Sequence, residues 1–261
     1  MSNQESLIFR PKAETCEDFK WAPYVIEEHS LDYEKGKAYG WMFRAPRSKN
    51  CILYFYGNSD SSASFAERIP WLSQLSDASF FILEYPGYGK NSGAASEASL
   101  NELMALWGAY FKQHFNYKPK ELIFWGRSLG GSVAAMMSQH MECHGLILES
   151  PFISMVELAS DKYPYLPISM LCTNTLPILE PAKHFQGKVA IIHSKDDTVV
   201  LPRHAQSFKE HLPENADFLS ITGTHKKGYQ GHGSDYKVFL QRIFPASFSK
   251  SLALGDNSSE K

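Results

Sequence analysis

The stretch Gly126-Arg127-Ser128-Leu129-Gly130 fits the pattern G-x-S-x-G and directly follows an apolar run at residues 122–125. Such a pattern places a serine on a sharp turn between a buried strand and a helix, where small flanking residues keep side chains out of the turn. Residues 131–137 are small or apolar, which is typical of a helix packed closely against a sheet. A bare match arises by chance in roughly one chain in ten of this length, so an ordinary Gly/Ser turn is the alternative. The flanking strand and helix favour a nucleophilic Ser128.

Length, charge and cysteine content set limits on the class of protein. The 261 residues suffice for one large domain with a single core, and the formal net charge of -2 provides no field that would attract nucleic acid. No apolar run is long enough to span a bilayer, and the polar first residues do not resemble a secretion signal. The four cysteines lack C-x-x-C spacing, which argues against a zinc site or a disulfide framework; they are Cys16, Cys51, Cys143 and Cys172. We therefore expect a cytoplasmic protein, with peripheral membrane contact and oligomeric state left open.

Short apolar runs alternate with amphipathic segments along the chain. This alternation predicts an α/β fold with a mainly parallel central sheet of about eight strands and helices on both faces. Segments 24–28 and 38–44 are expected to form an antiparallel lead-in hairpin. The other predicted strands are 51–56, 80–84, 122–125, 145–148, 189–193 and 218–221, and the predicted helices are 64–75, 96–114, 128–140, 202–211 and 234–243.

One segment interrupts this alternation. Residues 161–177 combine Pro164, Pro167 and Pro177 with many apolar side chains, so they suit neither one long helix nor a solvated loop. We predict a small cap at about 152–179 over the strand ends, with a long packed connection as the alternative. The single domain is expected to span residues 1–245, and the polar residues 246–261 are expected to be a disordered tail.

A nucleophilic serine needs a histidine as general base and a carboxylate to orient that histidine. Asp196 and Asp197 follow the buried strand at 189–193, and His225 follows the last predicted strand after a glycine. A surface Asp pair that caps the next helix is the alternative for the two carboxylates. Of the ten histidines, His232 is the serious rival to His225 as base. The order serine, acid, histidine suits a strand-end catalytic site.

Donors for an oxyanion are expected from two backbone N–H groups. Tyr56-Gly57-Asn58 follows the strand at 51–56, so the N–H groups of Asn58 and Leu129 are the natural pair, with an ordinary turn as the alternative. The glycine-rich loop at 84–93 fits neither the dinucleotide-binding nor the phosphate-loop pattern, and we interpret it as structural.

With these pieces in order, residues 39–244 resemble the α/β-hydrolase superfamily, especially the abhydrolase-domain branch that includes acylglycerol lipases and depalmitoylase-like thioesterases. The segments that carry the resemblance are 126–131, 85–90, 149–152 and 223–225. The resemblance implies Ser128 as nucleophile, Asp197 as acid and His225 as base. Three residues depart from the family pattern: Tyr56 replaces the usual histidine, Ser194 replaces a common glycine, and Lys226 follows the base.

The expected function is hydrolysis of carboxylic esters or thioesters through an acyl-enzyme on Ser128. The apolar cap favours a small-molecule or lipid substrate with an acyl chain, and no cofactor or metal is expected. The alternatives are an amidase or peptidase of the same fold, and a non-catalytic hydrolase-fold protein that binds a ligand or partner.

Overall fold

The computed structural model describes residues 4–214 and 216–248. The strands are β1 (Val25–Tyr33), β2 (Gly36–Arg44), β3 (Cys51–Phe55), β4 (Ser79–Leu83), β5 (Leu122–Arg127), β6 (Gly145–Glu149), β7 (Lys188–Ser194) and β8 (Ala216–Ile221). The helices are α1 (Glu5–Ile8), α2 (Ser62–Leu75), α3 (Glu97–His114), α4 (Leu129–His140), α5 (Met155–Lys162), α6 (Ile168–Leu171), α7 (Leu179–His184), α8 (Pro202–His211) and α9 (Gly233–Ile243).

The strands form one sheet in the order β1-β2-β4-β3-β5-β6-β7-β8. β1 pairs antiparallel with β2, and β2 pairs antiparallel with β4, while β3 to β8 are parallel throughout. The chain first runs from β3 outward to β4, and then crosses back past β3 to β5. Because the connections that leave β3 and β5 run in opposite directions, they leave a crevice at the carboxyl ends of these strands, where α/β sheets bind ligands.

Helices cover both faces of the sheet, as the alternating sequence pattern predicts. On one face Phe80 of β4 packs against Phe65 of α2, with their ring centroids 5.7 Å apart. The next residue, Phe81, points to the opposite face and packs edge-on against Trp107 of α3, at 5.6 Å. All residues of β3, β4, β5 and β6 are buried, which explains their continuous apolar runs.

The segment predicted to form a cap contains α5 and α6 and is fastened to α4, the helix that follows Ser128. The hydroxyl of Ser132, one turn into α4, donates a hydrogen bond to the carbonyl of Leu176 at 2.7 Å. Glu97, at the start of α3, accepts hydrogen bonds from the backbone N–H of Thr175 and of Leu176. Leu176 and Ile178 are buried, whereas Tyr165 is 97% exposed and Met170 is 85% exposed. The segment therefore has a packed inner side and an apolar outer side.

The packed domain extends three residues beyond the boundary expected at 245. Ser247 and Phe248 are buried, and the ring of Phe248 lies 6.3 Å from that of Trp125. The expected disordered tail is therefore wrong for these residues, because an aromatic side chain covers the end of the core. Residues 249–261 of that expected tail lie outside the described residues.

Within residues 4–214 and 216–248, no helix is both long enough and apolar enough to cross a membrane.

Candidate active site

Ser128 lies on a strained turn between β5 and α4. Its backbone has φ 52° and ψ -120°, a conformation that non-glycine residues rarely adopt. The turn leaves no room for side chains at its flanks: a Cβ on Gly126 would lie 2.3 Å from the carbonyl oxygen of Gly130, and one on Gly130 would lie 1.9 Å from that of Phe55. The N–H of Ser128 donates to the carbonyl of Glu149 at 2.8 Å, which fastens the turn to β6.

The side chains of Ser128, His225 and Asp197 form a continuous hydrogen-bonded chain. Nε2 of His225 lies 3.0 Å from Oγ of Ser128, and Nδ1 of the same ring lies 2.6 Å from Oδ2 of Asp197. A carboxylate accepts, so the ring carries its proton on Nδ1 and presents Nε2 to the hydroxyl as an acceptor. This is the arrangement in which an imidazole can remove the proton of a serine.

Asp197 is held by the loop that follows β7. Its Oδ1 accepts hydrogen bonds from the N–H groups of Val199 and Val200, both at 2.9 Å, which leaves Oδ2 for His225. Burial raises the pKa of this carboxyl, but the hydrogen bond from His225 and those from the two valines outweigh burial and lower the pKa below its ordinary value. The carboxylate is therefore ionised whenever the site is intact near neutral pH.

Asp196 and Ser194 hold the start of the loop that carries His225. Oδ2 of Asp196 accepts a hydrogen bond from the N–H of Gly223 at 3.0 Å, and the hydroxyl of Ser194 donates to the carbonyl of the same glycine. Gly223 has φ 101°, so a side chain there would be strained. The serine that replaces the family's common glycine at position 194 thus contributes a hydrogen bond to this loop.

The hydrogen-bond partners of His232 are Thr222 and Asp235. Its Nε2 lies 3.0 Å from Oγ1 of Thr222 and 3.3 Å from the backbone N of Thr222, and its Nδ1 lies 2.8 Å from Oδ2 of Asp235. These contacts join the beginning of the His225 loop to the start of α9. His232 therefore links the beginning of the His225 loop to α9 and holds the loop in place.

The loop after β3, proposed to bind the oxyanion, is fastened on two sides. The side chain of Asn58 accepts a hydrogen bond from the N–H of Arg10 at 2.8 Å and donates one to the carbonyl of Ile8. The hydroxyl of Tyr88 donates to the oxygens of Asn58, and that of Tyr85 donates to the carbonyl of Tyr56 at 2.8 Å. Leu129 is the first residue of α4, so its N–H has no acceptor within the helix.

Tyr56, at the position of the family's usual histidine, is fully packed beneath this loop. Its hydroxyl donates a hydrogen bond to Glu84 at 2.6 Å, and its ring lies 4.4 Å from that of Tyr85. Burial raises the pKa of both Tyr56 and Glu84. Tyr56 thus packs beneath the loop that follows β3.

Sequence reasoning missed the ionic contacts beneath the site. Arg127 pairs with Asp60, and Arg68 pairs with Glu149 at 2.8 Å; each of the four side chains is at most 17% exposed. The available signal was a charged residue at the end of each apolar strand, at Arg127 and Glu149. A buried charge requires a partner, but the identity of that partner depends on the tertiary fold.

The sheet with its order reversal, the strained serine turn and the strand-end acid and histidine define a class of protein. The chain has the α/β-hydrolase fold, and it is a hydrolase similar to members of that superfamily. No protein-family model matches it. It is 26% identical over 226 residues to the alpha/beta hydrolase domain-containing protein 17C of Xenopus tropicalis, an alignment that covers 84% of this chain and 69% of the frog protein.

Other similarities give the same superfamily. The human alpha/beta hydrolase domain-containing protein 17C is 25% identical over 204 residues, which are 76% of this chain and 58% of the human protein. Among solved structures, the Pyrococcus furiosus esterase Pf2001 superposes with a TM-score of 0.70 at 16% identity, and the match covers 92% of this chain and 98% of the esterase.

Proposed function

We propose that this chain is a serine hydrolase that cleaves carboxylic esters or thioesters through an acyl-enzyme on Ser128. The observation that carries the proposal is the chain of hydrogen bonds from Ser128 through His225 to Asp197, at 3.0 Å and 2.6 Å. The strained backbone of Ser128 supports it, because such strain is retained where a function requires it. The relatives and the esterase of similar fold support the same class of reaction.

The reaction follows from the geometry of these groups. Oγ of Ser128 attacks the carbonyl carbon of the substrate while Nε2 of His225 takes the hydroxyl proton. Asp197 stabilises the imidazolium that forms. The backbone N–H groups of Asn58 and Leu129 stabilise the oxyanion, and His225 returns the proton to the leaving alcohol or thiol. Water then repeats these steps on the acyl-serine, which releases the acid and restores the enzyme.

An acyl-chain substrate is the proposed class. The capping segment exposes apolar side chains on its outer side: Tyr165 is 97% exposed, Leu166 53% and Met170 85%. Apolar side chains suit a hydrocarbon chain better than a sugar.

All four cysteines are free thiols, which supports a reducing, cytoplasmic setting.

The decisive experiment is reaction with a fluorophosphonate probe, because only an activated serine reacts with it. We expect one adduct, mapped by mass spectrometry to Ser128, and we expect Ser128→Ala to remove it. The variant should lose turnover of a p-nitrophenyl ester by about 10⁴-fold or more while it keeps its fold, since only one oxygen is removed. Turnover at the wild-type rate in the purified variant would disprove the assignment and favour the non-catalytic binding protein.

A panel of acyl p-nitrophenyl esters, acyl-thiocholines and acyl-anilides of increasing chain length then separates the substrate classes. We expect kcat/KM to rise with chain length for esters and thioesters. Faster cleavage of anilides would favour the amidase or peptidase alternative.

A further inference from the structure

We propose that Arg127 is a positioning residue that sets the place of the catalytic base. This inference rests on the proposed function, because it assigns a task to Arg127 within the same site. Arg127 is the residue before Ser128, and its backbone ends β5. Its side chain is only 6% exposed. The guanidinium donates to the backbone carbonyl of His225 at 3.1 Å and to the carboxylate of Asp60.

These two bonds connect the serine turn, through Arg127, with the loop that carries His225 and with the loop that follows β3. The carbonyl of His225 belongs to the loop that carries the base, and Asp60 belongs to the loop that carries the proposed oxyanion donors. The N–H of Asp60 donates to the carbonyl of Gly57 at 3.1 Å. A Cβ on Gly57 would lie 3.0 Å from both the guanidinium of Arg127 and the carboxylate of Asp60. The oxyanion loop is thus shaped around the Arg127–Asp60 pair.

The guanidinium suits this task because it is planar and carries five donors in a fixed fork. Besides its two short contacts, its Nε lies 3.9 Å from Glu149, whose carbonyl accepts from the N–H of Ser128. One side chain therefore reaches the base loop, the oxyanion loop and the strand that fastens the serine turn. Lysine is a point charge on a flexible stem and cannot bridge these groups in the same way.

The side chain of His225 is held by Asp197 and Ser128, but its backbone needs separate support. Gly223 is fastened by Asp196 and Ser194, and Thr222 by His232, all on the N-terminal side of His225. The bond from Arg127 holds His225 itself. Without it the backbone of His225 loses this support, and a resulting misplacement of the imidazole by about 1 Å reduces the rate about 100-fold.

A cavity next to Arg127 allows a direct test by chemical rescue. The cavity has a volume of about 560 Å³ and is lined by Arg127, Asp60, Lys226 and Tyr229 among others. In Arg127→Ala, free guanidinium can enter it and bind Asp60 and the carbonyl of His225. We expect Arg127→Ala to lower kcat for a p-nitrophenyl ester about 100-fold with KM changed less than threefold, and sub-denaturing guanidinium to restore about a tenth of the lost activity.

Arg203 provides a matched control. Its guanidinium also binds two carboxylates, of Asp161 and Glu157, and one backbone carbonyl, that of Glu157 at 3.3 Å. Arg203→Ala should keep the wild-type kcat and show no response to guanidinium. The kcat of Arg127→Lys should be lower than that of Arg127→Ala assayed with guanidinium. The lysine ammonium cannot bridge the carboxylate of Asp60 and the carbonyl of His225. A variant that fails to fold would show no rescue, and thermal melting identifies that case.

A readout without turnover separates this proposal from the proposed function. The Nδ1 proton that His225 shares with Asp197 gives a low-field ¹H resonance, which we expect to weaken or shift in Arg127→Ala and to return with guanidinium. Absence of labelling at Ser128 in the wild type would overturn the proposed function and leave this resonance as the test of Arg127. Wild-type kcat, or an unchanged resonance in a folded Arg127→Ala, would overturn the positioning role.

Discussion

At the scale of single residues, the two adjacent carboxylates have separate tasks. Oδ2 of Asp197 binds Nδ1 of His225, whereas Asp196 binds the backbone of Gly223. We expect Asp197→Asn to lower kcat by about 10² to 10⁴-fold, because the amide no longer fixes the tautomer and orientation of the imidazole. Asp196→Asn should lower kcat less than about tenfold, since it weakens one hydrogen bond to the loop. Steady-state kinetics of the two variants decide, and the reverse order would show that the loop assignment is wrong by one residue.

The two histidines of the loop provide a second prediction at this scale. Because Nε2 of His225 lies 3.0 Å from the serine hydroxyl, His225→Ala should slow fluorophosphonate labelling of Ser128 by about 100-fold or more. His232→Ala should label within about threefold of the wild type, since His232 contacts only the outside of the loop. Normal labelling in His225→Ala with slow labelling in His232→Ala would contradict this assignment.

Sequence reasoning located these residues because each candidate follows a strand. The carboxyl ends of parallel strands meet at one edge of the sheet, so Ser128, Asp197 and His225 were expected at the same place, and the structure brings them together. It could not assign the contacts of Arg127 or of Asn58. Those contacts join segments far apart in the chain, and no local pattern specifies which loop lies next to which.

At the scale of elements, the strands with continuous apolar runs were predicted within one or two residues. The strands of the lead-in hairpin are longer than expected. β1 ends at Tyr33 and β2 begins at Gly36, whereas strands at 24–28 and 38–44 were expected. At the end of β1 the exposed Ser30 and Asp32 alternate with Leu31 and Tyr33, which are partly buried against the core. This extension shows a short two-residue alternation rather than the continuous apolar run that marks the central strands.

His204 of α8 anchors the capping segment, and its environment predicts how the stability of the protein depends on pH. Nδ1 of the buried His204 accepts a hydrogen bond from the N–H of Ile153 at 3.1 Å, so the imidazole must be neutral in the folded state. Burial, together with the nearby Arg203, lowers the pKa of His204 below its ordinary value, although Asp161 opposes this shift. The unfolded chain therefore takes up a proton at a higher pH than the folded chain, and stability falls as the pH drops below about 6.5.

We expect His204→Asn to reduce this dependence, because the amide oxygen can still accept from Ile153 but does not titrate. The difference in the free energy of unfolding between about pH 7.5 and about pH 5.5, measured with urea, should be smaller in the variant than in the wild type. His184→Asn, at an exposed position on α7, is the control and should leave the difference unchanged. An equal or larger difference in His204→Asn would contradict the assigned role.

At the scale of the whole molecule, a buried ion pair joins the sheet to the helix layer formed by α2 and α9. Arg68 of α2 binds both carboxylate oxygens of Glu149 at the end of β6, at 2.9 Å and 2.8 Å. The indole N–H of Trp125 donates to the same carboxylate at 3.0 Å, and the guanidinium lies 4.2 Å from the ring centre of Tyr229, in the loop before α9. The sheet, α2 and the loop before α9 therefore meet at one pair of charges.

Glu149→Gln should destabilise the protein by about 3 kcal/mol or more, because it leaves the guanidinium of Arg68 buried without an opposite charge. Glu157→Gln is the matched control: Glu157 pairs with Arg203 at 3.4 Å, and both side chains are more than 40% exposed. An exposed pair contributes only about 0 to 1 kcal/mol, so this variant should remain close to the wild type. Guanidinium chloride unfolding gives both values. A loss below about 1 kcal/mol in Glu149→Gln would mean that water or Asp60 compensates Arg68, and that the pair does not hold the layers together.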